Sequence, residues 1–208
     1  MSEYIHFAVA EKNENIWIAQ RQGRAKNSND LTQPAILKMM AMGGEGSIID
    51  RLKQLHIVPL TISYEYDPCD YLKAREYQLR RDVPYWKKTA EDDMESMLVG
   101  IKGFKGHIFY RCAPCIDEWL DTVDAEQPKN KLFDEIAAHI DREIHSNYEL
   151  YPCNYVALDM IQDTKVYEEY YTSEDYQKFD EYINGQIEKI DIENRDDHFL
   201  RTCLLTQY

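Results

Sequence analysis

Along the first 120 residues, short apolar runs alternate with stretches of helical periodicity, and polar or Gly/Pro-containing turns separate them. Tyr4, Ile5, Ala8 and Val9 recur as one face of a helix, and Asn13-Glu14-Asn15 forms a polar turn after it. Ile16-Trp17-Ile18-Ala19 then reads as a buried strand, followed by a polar loop over residues 20–30. Thr32 is placed to cap a helix with Pro34 in its first turn; Ile36, Leu37, Met39 and Met40 give it an apolar face, and Gly43-Gly44 ends it. A second helix over 47–55 leads into a strand over 56–64 that carries Ile57, Val58, Leu60 and Ile62. A turn at Asp67-Pro68, helices over 71–81 and 92–101, and a strand over 106–111 complete this part. Strand, helix and strand in succession predict an α/β layer with a largely parallel sheet, with 17–19, 57–62 and 107–111 as core strands.

Beyond about residue 129 the pattern is helical throughout. Phe133, Ile136, Ala137, Ile140 and Ile144 recur at helical spacing, and Tyr155, Leu158 and Ile161 continue after Pro152. Thr172-Ser173-Glu174-Asp175 resembles a capping box ahead of Tyr176, Phe179, Tyr182 and Ile183. The sequence therefore divides into an α/β domain over 1–120 and an acidic helical extension over 121–208 packed on it. The many tyrosines of the extension read as half-buried packing.

Charge sharpens that division. With 24 Lys+Arg against 38 Asp+Glu the chain carries −14, a poor match to nucleic acid phosphates, so no nucleic acid partner is expected. Residues 1–120 hold 16 basic and 17 acidic side chains, a net of −1, and 121–208 hold 8 and 21, a net of −13. Any anion site is expected in the first part. No window approaches the ~18 apolar residues of a membrane span, and residues 1–6 lack the basic and apolar regions of a leader, so a cytoplasmic protein is expected. Five scattered cysteines fit reduced thiols better than a disulfide framework.

The loop after 17–19 reads Gln20-Arg21-Gln22-Gly23-Arg24-Ala25-Lys26-Asn27-Ser28-Asn29-Asp30. Glycine lets the backbone approach a ligand, arginine can hold two phosphate oxygens with its planar fork, and lysine adds a mobile point charge. A strand end in an open α/β sheet is also where small ligands sit. The alternative is a solvated basic loop without a ligand.

These residues resemble the glycerolipid acyltransferases, the superfamily of glycerol-3-phosphate and lysophosphatidate acyltransferases. Its soluble plastid branch reads W-I-A-P-S-G-G-R-D-R at this block, and Trp17-Ile18-Ala19, Gly23-Arg24 and Lys26 fall in register with it. Gln22 stands where the lysophosphatidate branch, with E-G-T-R-S, has Glu. A second block, a strand with Val-Pro, is matched by Val58-Pro59 within Ile57-Val58-Pro59-Leu60-Thr61-Ile62. The segment from Tyr64 to Glu76 looks like the stretch after that block in bacterial glycerol-3-phosphate acyltransferases, and Arg111-Cys112-Ala113-Pro114-Cys115-Ile116 lies where the family has a strand ending in G-x-P-I. The resemblance covers residues 1–120. It implies a mixed sheet flanked by helices and a phosphate site at Gly23, Arg24 and Lys26, supported by Val58 and Pro59. It also implies a role in phospholipid biosynthesis, transferring an acyl group from acyl-CoA or acyl carrier protein to a hydroxyl of a phosphorylated glycerol-like acceptor. No cofactor or metal is implied, and peripheral contact with the inner face of the cell membrane is.

The family's catalytic block is His-x-x-x-x-Asp, in which His takes the hydroxyl proton and Asp supports the imidazolium. The resemblance places it several tens of residues before the phosphate loop, and only 23 residues precede Arg24 here. The near-match His6 to Glu11 would set its two side chains ~140° apart on an α-helix. No catalytic residue is therefore assigned, and the expectation is an N-terminally truncated, catalytically incomplete chain. The non-enzymatic reading is an acyltransferase-like module that binds a phosphorylated metabolite or lipid headgroup. Cys112-Ala113-Pro114-Cys115 has redox spacing but lacks the surrounding features of a thioredoxin site, and zinc held with His145 and Cys153 is a weaker reading still.

Overall fold

The computed structural model describes residues 1–19 and 31–208. The described chain is mostly helical and holds one two-stranded sheet. It divides into two compact units that interleave in sequence, whereas the sequence pattern suggests one boundary near residue 120. The described residues of 1–62 and 110–148 form the first unit, and those of 63–109 and 149–208 the second.

In the first unit, α1 (Ser2–His6) runs into a π-helical turn over Phe7–Glu11, as the apolar spacing of Tyr4 to Val9 predicts. α2 (Pro34–Met40) begins with proline in its first turn, where the missing N–H is no loss, and Gly44 at φ +78° follows its end. Gln33, not Thr32, occupies the cap position. α3 (Ile48–Lys53) starts at a capping box in which Ser47 Oγ accepts from the Asp50 N–H and the Asp50 carboxylate accepts from the Ser47 N–H.

β1 (Leu60–Tyr64) pairs with β2 (Ile108–Cys112). Between them in sequence lie α4 (Asp70–Asp82) and α5 (Ala90–Lys102) of the second unit. Backbone bonds from Ala113 N to Pro59 O (2.9 Å), Ile116 N to Ile57 O (3.0 Å) and Glu65 N to His107 O (2.9 Å) run in antiparallel order. The expectation of a largely parallel sheet is therefore corrected: the strands pair as an antiparallel ribbon despite two intervening helices. Residues 17–19 are also not a strand; they are irregular, and Trp17 is 70% exposed. An apolar run of four residues carries no information on whether a neighbour exists to accept its backbone bonds.

Burial on β1 also departs from the apolar pattern. Thr61 and Ser63 are buried, whereas Leu60 and Ile62 are only half-buried and Val58 is exposed. The hydroxyl face is buried because it meets backbone groups: Thr61 Oγ1 donates to Ile144 O (2.9 Å), in the last turn of α7 (Lys129–Ser146), a carbonyl that also accepts from Asn147 N just past the helix. β2 is largely exposed, so 107–111 is not a core strand. The first core gathers Leu37, Leu52 and Ile116 with Leu120 from α6 (Asp117–Leu120) and Leu132 and Ile136 from α7. Trp119 of α6 stacks on His139 of α7, ring centroids 3.8 Å apart, and burial there pushes the His139 imidazole down.

The second unit is built from α4, α5, α8 (Pro152–Gln162), α9 (Ser173–Glu188) and α10 (Asp197–Leu205). The Thr172 to Asp175 capping box is present at the start of α9 as the sequence predicts. Ala74, Val156, Phe179, Ile183, Leu200 and Leu204 close its core.

Candidate functional site

Within the first unit, a cavity of about 660 Å³ opens between the segment over 13–18, the start of α2 and the residues leading into β1. Its apolar lining includes Leu37, Met40, Leu55 and Ile140, and its polar lining Asn13, Glu14, Asn15, Thr32, Gln54 and His56. Thr32 is fixed there by its backbone N–H, which donates to Asp141 Oδ1 on α7 at 2.8 Å. Ile16 and Ile18 on one side and Thr32 on the other flank the basic loop in sequence, so the described residues before and after that loop border the cavity. Gly23, Arg24 and Lys26 themselves lie outside the described residues.

The second sequence block reaches the same cavity. Ile57 and Val58 line it, Pro59 is buried behind them, and the bonds from Ala113 to Pro59 and from Ile116 to Ile57 align the third block alongside. The structure thus gathers around one cavity the flanks of the first block and the body of the second, with the third held to the second by backbone pairing.

His6 does not serve this cavity. It is buried, its Nε2 lies 3.0 Å from Met40 O, and Gly43 and Gly44 close over the ring: a Cβ on Gly44 would stand 2.7 Å from His6 Nδ1. Glu11 is exposed at the end of the π-helical turn. His6 is a core histidine tied to the end of α2.

One group escaped the sequence reading. The bond between Ile116 N and Ile57 O sets His56, Cys115 and Asp117 side by side, with one ligand atom from each within 4.8 Å of the others. His56 Nδ1 lies 2.7 Å from Asp117 Oδ2. Cys115 was visible only as half of a C-x-x-C pair, and the pairing that brings a residue 61 positions earlier to Asp117 has no local signature. Cys112 is exposed and Cys115 half-buried. Cys153, weighed as a metal ligand with His145, is buried in the second unit, donates to Glu65 O at 3.2 Å, and is pushed up to about 12 by burial.

A cavity of about 710 Å³ in the second unit is lined by Asp159, Tyr171, Tyr176 and Arg201. Two of its charged groups, Asp159 and Arg201, are already taken up by structural bonds. Asp159 accepts from Thr164 Oγ1 (2.7 Å), Tyr171 Oη (2.9 Å) and the N–H groups of Val166 and Tyr167, and Arg201 pairs with Asp180 and Asn184. The bonds to Asp159 tie the 159–171 segment back onto α8.

Among the described residues no helix is long and apolar enough to cross a membrane. Set against family models, curated proteins and solved structures, the chain has no match.

Proposed function

We propose that this chain carries the acceptor-binding part of a glycerolipid acyltransferase, with Gly23, Arg24 and Lys26 holding the phosphate of a glycerol-like acceptor and the acyl group arriving on coenzyme A or acyl carrier protein. On this reading β1 and β2 belong to an acyltransferase-type mixed sheet. The observation that supports it is the cavity of the first unit, bordered by both flanks of the basic loop and by Ile57 and Val58, the segments in which the resemblance to that family resides. Its apolar lining suits an aliphatic chain, and the residues on either side of the three-cation loop border it. The thioester already carries the activation, so the reaction calls on a general base and an anion site.

No His-x-x-x-x-Asp occurs in these 208 residues and His6 is committed to Met40 O, so no residue here is assigned as the base. That favours, as a second reading, binding of a phosphorylated metabolite or lipid headgroup without turnover. Positioned general-base catalysis contributes roughly 100- to 10,000-fold, and the expected outcome for this chain alone in a thioester-release assay is no turnover above background. Turnover that disappears on His6→Ala would overturn this and make His6 the base.

The phosphate site is tested by calorimetry with glycerol 3-phosphate. Each charge-assisted hydrogen bond is worth roughly 1.5 to 3 kcal/mol, so Arg24→Glu together with Lys26→Glu is expected to weaken binding at least ~100-fold. Unchanged affinity in a variant with an unchanged circular dichroism spectrum would sink the assignment.

A further inference from the structure

Three side chains of different chemistry, an imidazole, a thiol and a carboxylate, converge at His56, Cys115 and Asp117, and they come from two segments far apart in sequence. Their convergence is fixed by buried backbone. Ile116, between two of them, is 1% exposed, and its N–H is bonded to Ile57 O next to the third. α6 begins at Asp117 and is anchored by Leu120, which is fully buried, and by the Trp119–His139 stack. The donors therefore sit on a rigid frame, as a metal site requires.

Asp117 Oδ2 takes the His56 contact, while Oδ1 is buried and has no hydrogen-bond partner in the protein. An unpaired buried carboxylate oxygen is costly and is satisfied when a cation takes it as a ligand. The nearby Lys53, which feels Asp117, is committed elsewhere, paired with Asp121 at 2.5 Å. His56 is held at φ +47°, in the left-handed region, and its side chain is 72% exposed, so the open side of the group faces solvent.

From this geometry we infer that His56, Cys115 and Asp117 bind a divalent cation of the zinc class, one nitrogen, one sulfur and one oxygen ligand leaving a fourth, solvent-facing position. Imidazole, thiolate and carboxylate are the zinc ligand set, with bonds of about 2.0 to 2.3 Å, and tetrahedral ligands around such an ion stand roughly 3.4 Å apart. The 4.8 Å envelope of the three donors spans that size; on binding, Asp117 ligates through Oδ1, and His56 Nδ1 exchanges its 2.7 Å contact with Asp117 Oδ2 for the ion, its ring proton then sitting on the solvent-facing Nε2. On binding, the thiol gives up its proton to solvent, the thiolate and carboxylate cancel the double charge, and no electron is transferred. The ion clips the segment before β1 to the start of α6. The inference is independent of the acyltransferase reading, since it is read out without substrate.

Cobalt(II) and zinc titrated into the reduced 208-residue chain test it. Expected are one Co²⁺ per chain with a thiolate-to-metal charge-transfer band and the visible bands of four-coordinate cobalt, displaced by zinc. Cys115→Ser should abolish the charge-transfer band. His56→Ala and Asp117→Asn should each weaken binding by more than the roughly 10- to 100-fold typical of removing an outer-shell partner, and Cys112→Ser should change nothing. Zinc should also raise the melting temperature in proportion to the logarithm of its excess and shield Cys115, mapped by mass spectrometry, from alkylation in the wild-type chain. That last readout needs no variant to fold. Absence of the band, its survival in Cys115→Ser, its loss in Cys112→Ser, or unchanged Cys115 alkylation with zinc would each overturn the assignment.

Discussion

Asp70 is fully buried in the second unit and still finds a partner for each carboxylate oxygen: the hydroxyls of Tyr182 and Tyr208 donate to Oδ2 at 2.7 Å each, and Gln186 Nε2 donates to Oδ1 at 2.7 Å. Burial nevertheless dominates and holds its carboxyl above the ordinary value of 3.8, against the pull of the two tyrosines. A carboxyl raised on folding contributes stability that is full below its ordinary value and is lost as pH rises through the folded one. Urea midpoints measured across that window should fall with pH in the wild-type chain, and Asp70→Asn should flatten this limb. Asp159 has the opposite sign. Burial opposes its ionisation, but the summed bonds from Thr164, Tyr171, Tyr167 and Val166 bring it below 3.8. Its stabilisation is present above the ordinary carboxylate value and lost as pH falls through the lowered one, so Asp159→Asn should blunt acid unfolding. An acid limb identical to wild type would refute that role.

At the scale of elements, α5 shows how far periodicity can mislead about direction. Met94, Met97, Leu98 and Ile101 share a stripe roughly 100° wide, and all four are more than half exposed, from 52% to 75%. The buried position is Ser96, whose Oγ donates to Asp92 O. Met97→Lys should accordingly shift stability by no more than about 0.5 kcal/mol. Phe179→Ala, at a side chain 1% exposed in α9, should cost about 3 to 5 kcal/mol, measured in the same urea series. The helices were legible because their signals are local: a capping box at Thr172, proline at the start of α2, apolar spacing in α7. The strand partnership was not, because which backbone accepts which bond is decided between residues some fifty positions apart, and the burial of Thr61 follows from the carbonyls of α7 rather than from its own apolarity. At the candidate site, Val58 and Pro59 precede β1 instead of lying in the strand expected over 57–62, because the ladder begins only at Leu60, and the company of His56 and Asp117 had no local signal.

For the whole molecule, the interleaving of the two units matters more than the charge asymmetry about residue 120. The first core draws Leu132, Phe133, Ile136, Ala137, Ile140 and Ile144 from α7, beyond that position. A fragment of residues 1–120 should therefore lack a cooperative thermal transition and a dispersed NMR spectrum, while the full chain shows both. A sharp transition in the fragment would show that the first core closes without α7. The tie between Asp70 and Tyr208 has a temporal side. Tyr208 follows Asp70 by 138 residues, which at a synthesis rate of ~5 to 20 residues per second is a delay of roughly 7 to 28 s. Helices form in about a microsecond, but a helix the length of α4 is marginal on its own, so for those seconds Asp70 stands in water on a segment that only fluctuates towards its fold. Its set of partners, begun with Tyr182 and Gln186, is complete only once the growing chain has delivered Tyr208.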